Sequence, residues 1–505
     1  MQYDTCVFWI DARRALASRS APITASTAIM TDPAPAGFFE GVFDRTLTNL
    51  RNAWRDIAMS ARGVLTGTPR PDLPGEDASR LHQQMRSCLD GRAGGVTARA
   101  RAADLGRAYL SLDQAGRERF LQLLAREFDV DHDEIRRRCQ ALIEVSEPTQ
   151  RTDEERGLRE ALEPPRITLL RQFNALPEGV KFLVDRRAEL IDLGRRDPLL
   201  RGLEEELKGL LANWFDIGFL ELKRITWESP AALLEKLMVY EAVHEFRGWT
   251  DLKNRLDADR RCFAFFHPRM PDEPLIFVEV ALVSGMSSDV HALLDEAAPI
   301  SDPHAADAAI FYSISNCQRG LAGISFGDFL IKRVVDALAV ELPRLKIFAT
   351  LSPVPGFRAW LDRQAQTAPG ELLLPSERTA IEGLDEVAQR DFLGLLNQEG
   401  WHEEPRIVGA LREPLIRLCA RYLLRERTPS GRALDPVAHF HLSNGARVER
   451  LNWLGDASPK GLQQSAGIMV NYLYRLGEIE PNHEAYRGEG RVAASSTLRN
   501  LARAG

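Results

Sequence analysis

The sequence predicts an α+β protein of two domains, an all-helical N-terminal bundle followed by a mixed α/β domain. Two observations predict it. From about residue 36 to 208, apolar residues recur at three-to-four spacing and hardly any strand-like run appears. After residue 209, short β-rich runs bounded by turn residues alternate with helical stretches. The length of 505 residues agrees with more than one domain.

In the first half, "FFEGVFDRTLTNLRNAWRDIA" lines up Phe39, Val42, Phe43, Leu47, Leu50, Trp54 and Ile57 at helical spacing. "GRERFLQLLAREFDV" and "LPEGVKFLVDRRAELIDLG" read the same way, and "GTPRPDLPGED" is a surface loop between helices. Residues 1–35, rich in small residues and ending at Pro33 and Pro35, are expected to be a disordered leader, with Met30 as an alternative start. In the second half, helices at 230–245 and 249–256 precede "RCFAFFHP" and "EPLIFVEVALV", two runs joined as a hairpin. A strand at 307–315, a glycine stretch, a helix at about 326–341 and a strand at 344–353 follow. Helices are then expected from Pro355-Gly356 onward, at about 376–397 and at 405–425. "PVAHFHLS-NG-ARVERLNWL" is predicted to be a second hairpin around an Asn-Gly turn, and a helix at 459–475 is predicted to close the domain. The domains are thus placed at 36–208 and 209–487, with 488–505 as a loose polar tail.

Composition narrows the function. A net charge of −7 argues against nucleic acid as partner, because its binding rests on a basic surface. Arg136-Arg137-Arg138 is read as a solvated helix face. Cys6, Cys88, Cys139, Cys262, Cys317 and Cys419 are scattered, with no C-x-x-C pair. A structural zinc site is therefore not expected, and a reducing, cytoplasmic setting is. No apolar run approaches the ~20 residues that span a bilayer, so no membrane partner is expected.

The stretch "SNCQRGLAGISFGDFLIKRVV" carries Gly320, Gly323 and Gly327 between a strand and a helix. Glycine lets backbone N–H groups approach a ligand closely, and a helix N-terminus adds unsatisfied donors, so a pyrophosphate is the natural guest. Neither a Walker loop nor a dinucleotide fingerprint is present. The same stretch contains Gly-Ile-Ser-Phe-Gly, which fits a nucleophile elbow at Ser325, with Asp435 and His441 following in hydrolase order. An elbow needs its strand to run straight into Gly-x-Ser, and here Gly320 and its neighbours intervene.

Four blocks, "FYSISNCQRGLAGISFGDFLIKRVV", "FATLSPVPGFRAWL", "PVAHFHLSNGARVERLNW" and "GIMVNYLY", together resemble malonyl-CoA decarboxylase. The likeness extends back through "FLELKRITWESPAALLEKLMVYEAVH" and covers about 210–486 closely. It implies a helical N-terminal domain used for homotetramer assembly. It also implies a catalytic domain similar to the GCN5-related N-acetyltransferases, in which a loop wraps the CoA pyrophosphate. Ala322, Gly323, Ile324, Ser325, Phe326, Gly327 and Asp328 match that loop. The family's catalytic pair falls on Ser352 and His441. His439 stands where the family usually has Asn, and period two would put it on the face of His441.

The implied reaction converts malonyl-CoA to acetyl-CoA and CO2 through a thioester enolate, with no cofactor because the thioester is the electron sink. Ser352 is expected to orient the carboxylate. His441, with a pKa expected near the working range, is expected to protonate the α-carbon. The alternatives are an acyltransferase or thioesterase on a CoA-binding fold, and a non-catalytic CoA-binding assembly protein.

Overall fold

A computed structural model describes residues 37–59, 68–89, 95–215, 217–324, 330–367, 370, 372–384 and 392–504. The leader at 1–35 lies outside the described residues, as do Ser325, Phe326, Gly327 and Asp328.

Among the described residues, nine helices fill the first part: α1 Gly37–Met59, α2 Gly75–Cys88, α3 Gly95–Leu110, α4 Gln114–Glu127, α5 His132–Glu144, α6 Pro148–Ala161, α7 Pro165–Phe173, α8 Gly179–Leu193 and α9 Pro198–Trp214. Their starts are written in short polar residues. Asp113, Asp131 and Asp197 each accept a hydrogen bond from a first-turn N–H of α4, α5 and α9, and proline stands at the first turn of α6, α7 and α9. Trp54, fully buried, packs on Phe173 and Phe182, and its indole N–H donates to Pro177 O at 2.8 Å. The bundle runs to Trp214, so the expected boundary at 208/209 falls inside α9.

The second part is built on one mixed sheet. Its strands are β1 Glu221–Ile225, β2 Arg260–Phe266, β3 Ile276–Val283, β4 Ala308–Asn316, β5 Ile347–Thr350, β6 Ser352–Pro353, β7 Arg447–Asn452 and β8 Met469–Leu473, in the order β1-β2-β3-β4-β5-β8-β6, with β7 also pairing β8. β1 to β4 form an antiparallel meander that includes the predicted first hairpin, β2 with β3. β4 and β5 are parallel, joined through α13 Leu330–Glu341, and their register covers only Ala308↔Ile347 to Phe311↔Thr350. Helices α10 Ala231–Tyr240, α11 Trp249–Asn254 and α12 Val290–Leu293 lie within the first half of this domain. Helices α14 Phe357–Thr367, α15 Pro375–Glu382, α16 Phe392–Leu396 and α17 Pro405–Arg425 separate β6 from α18 Pro436–Ser443. α19 Pro459–Ser465, α20 Ile479–Glu489 and α21 Ser496–Arg503 complete the chain.

Four expectations are corrected. The second hairpin is a helix followed by a strand, α18 then β7. Asp435 caps Val437 and Ala438 N–H at 3.0 Å and Pro436 sets the first turn. Asn444 and Gly445 (φ 79°) end the helix instead of turning a hairpin. The helix at 459–475 stops at Ser465, because Ala466 and Gly467 take left-handed φ of 52° and 76°, and the chain re-enters the sheet as β8. The tail is ordered: α21 buries Leu498 and Ala502, and Ala504 O accepts from Arg417 at 3.4 Å. The helix expected at 376–397 is two, α15 and α16.

Candidate active site

β4 and β5 part company after Phe311. Leu351 N–H still donates to Phe311 O at 2.9 Å, but β4 runs on to Asn316 without a further register to β5 or β6 among the described residues. A one-residue bulge at Tyr312 sits where they separate, since Glu279 faces Ser313 and Val280 faces Phe311. The Glu241 carboxylate accepts from Ser313 Oγ at 2.7 Å and Ser315 Oγ at 3.0 Å, which pins the released part of β4. The result is a wedge at the carboxyl ends of two parallel strands, the place where open sheets bind ligands.

Ser352 stands on the β5 side of this wedge. It is 6% exposed, and its hydroxyl donates to Thr350 Oγ1 at 2.8 Å. Thr350 is held in turn by Tyr472 N–H at 3.1 Å. His441, 2% exposed, reaches Ser352 Oγ with Nε2 at 3.1 Å and meets the Tyr474 hydroxyl with Nδ1 at 2.8 Å. Its ring stacks on Tyr472, centroids 4.4 Å apart. The hydrogen bonds assign the tautomer. Ser352 gives its proton to Thr350, so His441 carries its hydrogen on Nε2 and donates to Ser352, and Tyr474 donates to Nδ1.

Sequence reasoning named Ser352 and His441, and the structure brings them together. It missed Tyr474, which lay in the segment read as helix; Tyr472 on β8 and Tyr474, the first residue past the end of that strand, both meet His441. The expected pKa of His441 is corrected. Burial pushes it down to about 3, so the ring is neutral around pH 7.

His439 is corrected too. In a helix, neighbours two apart point in nearly opposite directions, and His439 Nδ1 meets the Tyr486 hydroxyl at 2.8 Å, away from His441. Asp435 and His441 do not pair as an elbow triad would need. Asp435 spends its oxygens on the first turn of α18, on Gly356 N–H at 3.3 Å and on the Tyr422 hydroxyl at 3.3 Å. Ser325 lies outside the described residues.

The described part of the glycine stretch, Ala322 to Ile324 with the turn Arg319–Leu321, follows β4 at the same end of the sheet. Gly320 has no room for a side chain, since a Cβ would stand 1.7 Å from Val184 O of α8. Arg187 of α8, buried and paired with Glu204 at 2.7 Å, donates to Gly320 O at 2.7 Å and Ala322 O at 2.8 Å. Gly323 is exposed and has φ 71°, a conformation that suits glycine. Among the described residues no group of three His, Cys, Asp or Glu side chains could hold a metal ion, and no helix is long and apolar enough to cross a membrane.

Comparison with known proteins matches these features. Residues 218–505 match the family described as Malonyl-CoA decarboxylase C-terminal domain, and 128–215 match Malonyl-CoA decarboxylase N-terminal domain. The chain is 39% identical over 418 residues to "Malonyl-CoA decarboxylase, mitochondrial" of Anser anser anser, covering 79% of this chain and 83% of that one. It is 38% identical over 421 residues to the protein of the same name from Rattus norvegicus, covering 80% and 85%. The crystal structure of malonyl-CoA decarboxylase from Rhodopseudomonas palustris superposes with a TM-score of 0.77 at 42% identity, over 84% of this chain and 99% of that one. The Agrobacterium vitis structure gives 0.76 at 42% identity, with the same coverage. These matches define the class as carboxy-lyases, enzymes that break a carbon–carboxylate bond. The chain belongs to the malonyl-CoA decarboxylase family.

Proposed function

We propose that the linked side chains of Ser352, His441 and Tyr474 carry out the decarboxylation of malonyl-CoA to acetyl-CoA and CO2. The observation that carries this is the contact between Ser352 and His441 inside the wedge, backed by Tyr474. In this reading the CoA phosphates lie on the loop from Ala322 onward and the malonyl group points at Ser352. The Ser352 hydroxyl turns from Thr350 to one carboxylate oxygen and fixes the plane of that group. The Cα–carboxylate bond then breaks, CO2 leaves, and its electron pair passes into the thioester as an enolate. N–H groups on the edge of β4 beyond Phe311 are the donors assigned to the thioester oxygen, where charge develops. His441 Nε2 gives its hydrogen to the α-carbon. As Nε2 loses its hydrogen, Nδ1 takes one from the Tyr474 hydroxyl, so the negative charge passes to the Tyr474 oxygen until solvent returns the proton consumed.

The chemistry requires no metal or organic cofactor, because the thioester takes the electron pair. The parting of two parallel strands, β4 and β5, joined through the helix α13, supports the likeness to GCN5-related N-acetyltransferases. The helical half is read as the element that assembles a homotetramer. The free cysteines suit a reducing, cytoplasmic setting, whereas the curated relatives bear the name mitochondrial. The test is product analysis by mass spectrometry after incubation with malonyl-CoA and no added cofactor. Acetyl-CoA and CO2 in equal amounts are expected. Free CoA with malonate overturns this reading in favour of a hydrolase.

A further inference from the structure

We propose that Lys208, on α9 of the helical half, is a ligand of the phosphate groups of the CoA moiety. The proposal rests on the reading that those phosphates lie on the glycine loop. Lys208 comes from the other half of the molecule, yet its ammonium stands beside that loop. Its Nζ is 3.3 Å and its Cε 3.6 Å from the point that a Cβ on Gly323 would occupy. Gly323 has no Cβ and is exposed, so an anion seated on its backbone is within reach of that ammonium.

Charge pairing around the loop singles out this lysine. Arg187 is held by Glu204 and the two loop carbonyls, and Arg319 pairs with Asp192. Lys332 pairs with Glu480 at 2.6 Å, and Arg333 donates to Leu220 O at 2.9 Å and covers the Phe265 ring. Lys208 pairs with no described residue. Of the two carboxylates one turn before it on the helix, Glu204 is held by Arg187 and Glu205 forms no ion pair with it. A half-buried ammonium without a counter-charge gives the fold little and a polyphosphate much.

The backbone complements it. A trans peptide points its C=O and N–H in opposite directions, so Arg187, by holding Ala322 O, turns the Gly323 N–H away from itself. That N–H has no acceptor among the described residues. A cation and an unsatisfied backbone donor at one exposed glycine are what a phosphate oxygen requires.

The experiment measures dissociation constants of CoA, dephospho-CoA and pantetheine, and KM and kcat for malonyl-CoA, in the wild type, Lys208→Met and Lys208→Arg. Lys208→Met keeps the aliphatic stem and removes only the charge. It is expected to weaken CoA binding and raise KM about tenfold, with kcat within about twofold and pantetheine binding unchanged. Lys208→Arg is expected to restore most of the loss. A loss seen with CoA but not with dephospho-CoA assigns Lys208 to the 3′-phosphate, and a loss seen with both assigns it to the pyrophosphate. Equal CoA binding by the wild type and Lys208→Met overturns the proposal. A wild type that binds CoA no more tightly than pantetheine overturns the phosphate reading of the loop itself, a separate failure.

Discussion

At the scale of the residue, His441 stands at the centre of the candidate site, and burial sets its ionisation. Every neighbour is placed by the sheet: Ser352 and Thr350 by β6 and β5, Tyr472 by β8, and Tyr474, just past β8, by its N–H to Phe348 O of β5 at 2.8 Å. A ring closed in by these groups loses its hydration, and its pKa falls to about 3. The sign of the stability effect follows. An unfolded histidine titrates near ~6.5, so between that value and about 3 the unfolded chain binds the extra proton and the folded chain does not. The contribution is whole above ~6.5 and is lost as pH falls toward the folded value. His439, pushed down to about 4 by burial, acts in the same direction, whereas Asp435, raised to about 6, acts against them. His441→Gln is therefore expected to flatten, without abolishing, the fall in thermal midpoint between pH 6.5 and 4. The same variant is expected to lose at least about a hundredfold in kcat. Differential scanning fluorimetry across pH checks the first and a CO2-release assay the second; turnover like the wild type rules out the proton-donor role. Of this site, Ser352 and His441 were legible through their sequence blocks. The neutral ring was not, because burial depends on strands and helices far apart in the chain.

At the scale of the element, the instructive case is α18, because the same letters support two structures. "VAHFHL" alternates well enough for a strand, and Asn-Gly is a strong hairpin turn. The deciding signal lies just upstream: Asp435-Pro436 is a helix start, and Asn444-Gly445 serves equally as a helix end. Gly445 also lies so close to Ile479 that a Cβ would stand 2.1 Å from its carbonyl oxygen, a tertiary constraint no local pattern reveals. The meander from β2 to β4 was readable because those strands are long, apolar and separated by turn residues. β8 was not, because it was read as the continuation of α19, with Ala466 and Gly467 giving the break. The cap of α18 can be tested directly. Asp435 is buried, satisfies four donors and has its pKa raised to about 6 by burial. Asp435→Ala removes the cap and strands buried donors, and is expected to cost about 2 kcal/mol and lower kcat, because α18 carries His441. Asp435→Asn keeps an acceptor oxygen without a charge to bury, and is expected to stay within about 1 kcal/mol of the wild type. Urea unfolding of the two variants separates the cases, and equal losses from both count against the capping argument.

At the scale of the whole molecule, the two halves are joined more closely than two separate domains would be. One contiguous apolar cluster runs from Leu50 and Trp54 of the bundle through Phe311 of the sheet to Leu498 of the last helix. At its border, α8 lies against the glycine turn so tightly that Gly320 admits no side chain, and Arg187 closes on two of that turn's carbonyls. Removing the bundle strips the turn of these contacts and exposes the apolar surface that faced it. The cost falls on the loop assigned to the CoA phosphates before it falls on Ser352 and His441, which are held from within the sheet domain. Sequence patterning shows where helices give way to strands but not that both bury into one core, since that depends on which faces meet. The full chain is therefore expected to unfold in a single calorimetric transition. A fragment of residues 218–505, the part matched by the C-terminal family description, is expected to lack that transition and to bind CoA far more weakly. Two resolved transitions in the full chain, or a fragment with native CoA affinity, would show that the bundle is dispensable to the loop and confine its role to assembly.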